Sequence, residues 1–160
     1  MSLPYRGSFV SRISTLEVLE VLIPLRATLE GFGFAHALDN LTESDFTALR
    51  GIVARMEQAA PAGDLLALVE NDIAFHRLVM SRSGQPHTTQ IWGSIAPRIR
   101  AYFYTQLRGV MPSSGQLLHL AAGHRALLDA LISRDHERVA ALLVEHVGDL
   151  PGLPGSFTGA

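Results

Sequence analysis

Apolar residues recur at three- and four-residue steps along most of the chain, a periodicity that predicts helices and no convincing strand pair. A first helix is expected over about residues 15–38, capped by Ser14 or Thr15, with Glu17 and Glu20 in its first turns and a kink at Pro24. Gly31 and Gly33 weaken it or permit close packing. Thr42-Glu43-Ser44-Asp45 opens a second helix whose buried stripe is Phe46, Leu49, Val53 and Met56, and Pro61-Ala62-Gly63 closes it. Asp64 caps a third helix, which stops near Ser83-Gly84. Pro86 starts a fourth, reaching about Arg108 and interrupted by Pro97. A fifth covers roughly residues 114–133, and Asp135 caps a sixth that ends near Leu150-Pro151. The short connections make neighbours antiparallel, so the expected fold is an all-α antiparallel bundle of about six helices.

Polar residues on these apolar stripes are the next signal. Asp72 and His76 stand one helical turn apart. Leu65, Leu68, Phe75 and Val79 share the stripe of Asp72; Leu66, Val69, Ile73 and Met80 share that of His76. His124 falls among Leu117, Ala121, Leu128 and Leu131, and His146 among Val139, Leu143 and Leu150. A carboxylate and three imidazoles from three helices thus point inward, and such a set can surround one divalent ion. Each histidine taken alone is more often a core residue with a satisfied hydrogen bond than a ligand. His36 also falls on a stripe, with Leu25, Leu29 and Phe32, and has no assigned role. What distinguishes the set is that the desolvation costs accumulate. His87, His119 and His136 are expected in solvent.

Composition narrows the chemistry. The chain has 160 residues, 48% of them apolar, enough for one domain with a core. It has no cysteine, which excludes disulfides and thiolate metal sites. All its basic residues are arginine, so neither a Schiff-base lysine nor a phosphate-loop lysine exists. A formal net charge of -2 argues against strong nucleic-acid binding by these residues alone. No apolar run has the length of a membrane span and no secretory signal pattern appears, so a cytoplasmic location with no membrane partner is expected. His136-Glu137-Arg138-Val139-Ala140 begins like a zincin motif but lacks its second histidine, and no Glu-x-x-His pair supports a di-iron bundle. Arg26 reads either as a surface partner of Glu30 or as a carboxylate clamp aimed inward. Residue pattern alone favours the surface reading for Arg26, and for Arg98 and Arg100 likewise.

Several short pieces, taken in order, resemble the FCD ligand-binding domain of GntR-type transcription regulators of the FadR subfamily. They are Leu25-Arg26-Ala27-Thr28-Leu29-Glu30, Asp72-Ile73-Ala74-Phe75-His76-Arg77, His124-Arg125-Ala126-Leu127-Leu128-Asp129-Ala130-Leu131, Arg134-Asp135, and His146. The resemblance implies that Asp72, His76, His124 and His146 bind a divalent metal on the floor of an internal cavity, zinc first, with nickel or manganese as alternatives. It implies that a small organic acid completes the coordination, and that Arg26, and more loosely Arg98, face that effector. A homodimer is expected.

Tyr5-Arg6-Gly7-Ser8-Phe9-Val10 is similar to the last strand of a winged-helix wing. Residues 1–13 are therefore expected to be a wing remnant and linker, 14–150 the ligand-binding and dimerisation domain, and 151–160 a disordered tail. The rest of the winged-helix domain is missing from these residues, and DNA would be contacted only through it. Gly123 stands where relatives often carry glutamate, and is expected to loosen the support around His124. The rival class is a metal-dependent hydrolase or lyase, since open coordination positions also serve catalysis.

Overall fold

The side chain of Ser14 accepts a hydrogen bond from the Glu17 amide at 3.1 Å, and the chain enters its first helix there. That helix is one continuous rod in three pieces: α1 (Thr15–Glu17), a π-helical turn (Val18–Leu22) and α2 (Ile23–Ala37). The π turn lies where Pro24 was expected to kink the rod. The proline ring crowds the carbonyl four residues back, and a widened turn relieves that contact. The computed structural model describes residues 14–148. The expected wing remnant, the expected tail and Leu150 lie outside the described residues.

Each later helix begins and ends on a local device that the sequence carries. α3 (Glu43–Ala62) starts in a capping box between Thr42 and Asp45 and ends at Gly63, which takes the left-handed conformation at φ 66°. Asp64 accepts from the Ala67 amide to open α4 (Leu65–Ser81). α5 (Pro86–Val110) carries proline in its first turn, where no amide is needed. α6 (Ser114–Ile132) starts in a second capping box, Ser113 with Gln116, and Asp135 accepts from the Arg138 amide to open α7 (His136–Gly148).

Pro97 does not interrupt α5, which runs unbroken past it. Both Pro97 and Gly93, whose carbonyl has no amide at residue 97 to accept from, are on the exposed side, where that oxygen is open to solvent.

The described residues form an all-helical bundle. α3 packs between α4 and α6, α2 packs on α4, α5 and α7, and α6 packs on α7. Phe34, Leu49, Phe75, Trp92, Ile99, Leu127, Leu128 and Leu131 are among the fully buried residues that fill it. Phe46, Leu49, Val53 and Met56 form the buried stripe expected of α3. The turn after α6 is tied to the α2–α3 turn by Arg134, whose guanidinium donates to the Leu38 and Leu41 carbonyls. No helix among the described residues is long and apolar enough to cross a membrane.

Two sequence expectations fail on the α2 and α4 faces. His36 and Phe32 are exposed, and the imidazole Nδ1 of His36 stands 2.9 Å from the Phe32 carbonyl. Leu66, assigned to the stripe of His76, is 47% exposed. α2 is so rich in Ala, Gly and Leu that more than one stripe fits its periodicity. The face that turns inward holds Leu22, Arg26, Leu29, Glu30, Gly33 and Ala37 instead.

Candidate metal centre

α4 presents Asp72 and His76 from successive turns of its buried face, α6 presents His124 and α7 presents His146. One ligand atom from each lies within 4.8 Å of all the others. The Nε2 atoms of His76 and His146 are 3.1 Å apart. Asp72 Oδ1 is 3.2 Å from His124 Nε2, 3.7 Å from His146 Nε2 and 3.9 Å from His76 Nε2. Ligands about 2.1 Å from a common ion are spaced ~3.0 Å in octahedral and ~3.4 Å in tetrahedral geometry, so these separations suit a first-row divalent ion.

The outer nitrogens set the tautomers. His124 Nδ1 is 2.9 Å from the Leu120 carbonyl, an acceptor only, so the proton belongs on Nδ1 and the lone pair on Nε2 faces the cluster. His76 Nδ1 is 3.0 Å from Glu30 Oε2, although its N–H is not aligned on that oxygen. The carboxylate still favours the proton on Nδ1 and the lone pair on Nε2. His124 Nε2 and Asp72 Oδ1 are then two acceptors facing each other at 3.2 Å. A proton could bridge one such pair. An ion with several coordination positions satisfies all four groups at once, so the donor set fits a resident cation.

Behind this layer lies a buried ionic network. Arg26 Nε donates to Glu30 Oε1 at 2.8 Å, and Trp92 Nε1 on α5 donates to the same oxygen at 2.8 Å. Arg26 and Glu30 are both fully buried, so the expected surface pair is a core pair. Arg26 Nη2 stands 3.7 Å from Asp72 Oδ2, which links the network to the cluster. The guanidinium lies over the Phe103 ring, 5.2 Å from its centroid. Yet Arg26 Nη1 and Nη2, Asp72 Oδ2 and the Tyr102 hydroxyl are buried with no hydrogen-bond partner. Two unpaired guanidinium donors in an apolar interior are costly unless something else accepts from them.

The electrostatics follow from burial and pairing. Burial alone would raise the Glu30 carboxyl, but Arg26, His76 and Trp92 outweigh it and hold it at about 2. Burial likewise opposes ionisation of Asp72, and Arg26 with the three imidazoles drives it well below the ordinary carboxylate range. Burial lowers His76, against the pull of Glu30. It also lowers His146, to about 3, assisted by the neighbouring His124. The site therefore combines ionised carboxylates with neutral His76 and His146, the protonation that metal ligation needs.

Not every expected residue joins this group. Arg98 is exposed and donates to the Ser94 carbonyl of its own helix at 2.9 Å, because the inward face of α5 is taken by Trp92, Ile95, Ala96, Ile99 and Phe103. Arg100 is also exposed and pairs with Glu70. Gly123 bears on His146 rather than His124: a β-carbon there would meet His146 Nδ1 at 3.5 Å. It lies in a cleft of about 230 Å³ between α6 and α7, lined by Leu120, Leu142, Glu145 and His146 among others. Glu30 and Trp92 were not singled out from the sequence. The signal available for Glu30 was its place on the face of Leu22, Arg26, Gly33 and Ala37.

Comparison with known proteins agrees with this architecture. The FCD domain family model matches residues 20–149. A probable D-xylose utilization operon transcriptional repressor of Paenarthrobacter nicotinovorans is 24% identical over 141 residues, covering 88% of this chain and 59% of the repressor. The HTH-type transcriptional regulator McbR of Escherichia coli (strain K12) is 25% identical over 131 residues, covering 79% of this chain and 57% of McbR. The chain thus spans less than two thirds of the length of these relatives, both named as regulators and neither as an enzyme. The solved structure of E. coli McbR/YncC superposes with a TM-score of 0.73 at 22% identity, over 81% of this chain and 64% of that one, and shows a common fold.

Proposed function

The chain belongs to the FCD domain family, and from that premise we propose that it is the effector-sensing and dimerising part of a GntR-type bacterial transcription regulator, which binds a divalent metal and a small organic acid. Asp72, His76, His124 and His146 would hold the ion, with zinc the first candidate and nickel or manganese the alternatives. The bound ion supplies a Lewis-acidic centre with coordination positions left for ligand oxygens. Arg26 would take a carboxylate through its two unpaired Nη donors in a bidentate contact. Arg98, turned to solvent, has no part in this reading.

The observation that carries the proposal is the convergence of four ligand atoms beside a buried arginine with two unused donors. An organic acid that touches α2 through Arg26 and the metal ligands of α4, α6 and α7 favours one arrangement of those helices over others. Regulation would follow as linkage, because an effector that binds one arrangement better shifts the whole population toward it. DNA would be reached through a winged-helix domain outside these residues, as a dimer in the cytoplasm. The hydrolase or lyase alternative has no support from the matched relatives, which are regulators.

Elemental analysis of the purified chain, followed by calorimetric titration of the zinc-loaded protein with hydroxy and dicarboxylic acids, tests the reading. One equivalent of metal per chain and saturable binding of at least one acid are expected. Absence of metal uptake would overturn the centre, and silence of every acid on the loaded protein would overturn the effector.

A further inference from the structure

The groups buried around the centre carry a definite charge. Arg26 is positive, Glu30 and Asp72 are negative, and the three histidines are neutral when they ligate a metal. The site without an ion is therefore one negative charge in excess, and with a divalent ion one positive charge in excess. Glu30 decides this balance. It is fully buried; Oε1 accepts from Arg26 and Trp92, and Oε2 stands 3.0 Å from His76 Nδ1 without an aligned hydrogen bond. It already neutralises Arg26, so the arginine offers geometry to a ligand but no surplus charge.

We infer that the effector is a monoanion, a small acid with one carboxylate, and that diacids are selected against by charge rather than by size. The inference rests on the metal-and-acid reading above. One carboxylate has two oxygens, and the unpaired Nη1 and Nη2 of Arg26 are two donors in one plane, so a single carboxylate saturates the fork. Its one charge brings the loaded site to neutrality. A second carboxylate would leave an unpaired negative charge in an interior where Phe34 and Phe75 pack on His76, Trp92 on Glu30 and Phe103 on Arg26, and burying an uncompensated charge there is costly. The other arginines of α5 nearest in sequence to Tyr102 and Phe103 offer it no partner. Arg98 is turned to its own helix in solvent and Arg100 is paired with Glu70 on the surface.

The test uses acids that differ in charge but hardly in shape. Calorimetry on the zinc-loaded chain at pH 7 would compare L-malate with its monoamide malamate, and succinate with succinamate. Zinc content would be measured after each titration to exclude stripping. At least tenfold tighter binding of the monoamide in each pair is expected. A diacid that binds as tightly as its monoamide, or more tightly, overturns the charge filter while leaving the sensor reading intact. Equal weakness of both members beside tight binding of L-lactate or glycolate assigns the selection to size, and overturns it as well. Failure of all six acids on fully loaded protein overturns the sensor reading itself.

Discussion

Glu30 Oε2 lies 3.0 Å from His76 Nδ1, so a residue of α2 supports a metal-ligand candidate of α4 from the side away from the cluster. A carboxylate behind a ligating imidazole fixes the ring and raises its basicity. Glu30→Gln keeps an acceptor for Arg26 and Trp92 but removes the charge facing His76. It is expected to weaken zinc binding about 10- to 100-fold, read by competition with a chromophoric chelator, with helical circular dichroism unchanged. Unaltered zinc affinity would remove Glu30 from the centre.

Substituting the cluster itself should separate metal from fold. Asp72→Asn and His146→Ala are each expected to reduce bound zinc from one equivalent to a small fraction of it, measured by elemental analysis after dialysis. His36→Ala is the control. It removes an imidazole from an exposed position on α2 and should leave the zinc content unchanged. Loss of zinc in the control as well would mean that surface histidines account for the binding.

Arg26→Gln addresses the effector. It removes both unpaired donors and the positive charge 3.7 Å from Asp72 Oδ2, while all four ligand side chains stay in place, and loss of a nearby cation does not disfavour a metal ion there. Zinc content should persist, while affinity for the best-bound acid falls at least tenfold by calorimetry, a change equivalent to about 1.4 kcal/mol. Retained acid affinity would show that the guanidinium does not receive the carboxylate.

Asp45 provides a pH-dependent contribution remote from the centre. It accepts from the Thr42 amide and hydroxyl, closing the α3 capping box, and from Arg82 Nε and Nη2 at 3.0 and 2.8 Å. The Arg82 hydrogen bonds lead the causes that lower its carboxyl to about 2 from an ordinary 3.8. A lowered carboxylate favours folding when ionised. Its stabilisation is therefore complete above pH about 4 and is lost as pH falls through about 2. Urea unfolding across that range should show a smaller acid loss for Asp45→Asn than for the parent chain. Asp45→Ala should cost about 1 kcal/mol at pH 7 through the lost cap.

Two glycines should respond to alanine with opposite signs. A β-carbon on Gly33 would lie 2.3 Å from Met80 Sδ, and Met80 is fully buried, so its side chain has little room to withdraw. Gly33→Ala is expected to destabilise by about 1–3 kcal/mol through overpacking. A β-carbon on Gly123 meets only His146 Nδ1 at an ordinary 3.5 Å. Gly123→Ala, inside α6, is expected to stabilise by about 0.5–1 kcal/mol through helix propensity. Thermal or urea denaturation of the two variants reads both signs.

The helices and most of their ends were legible in the sequence, because their causes are local. Thr42 with Asp45, Gly63 after Ala62, and Asp135 before α7 act on backbone groups within a few residues. The inward orientation of Asp72, His76 and His124 was equally legible, since each sits among apolar residues at helical spacing that the fold buries. α2 was different. Its small and apolar residues satisfy several stripes, and the sequence placed His36 and Phe32 on the inner face that Arg26 and Glu30 occupy.

By itself, then, the sequence determined where most helices start and stop, and that Asp72, His76 and His124 leave the solvent, all consequences of spacing along one chain. Only the tertiary structure decided that α4, α6 and α7 bring four ligand atoms to one point, that Arg26 and Glu30 form a core pair behind it, and that Arg98 stays outside. Those outcomes depend on the rotation of each helix about its own axis against its neighbours. That rotation is set by packing among α2, α4, α5, α6 and α7 together, which no local pattern encodes.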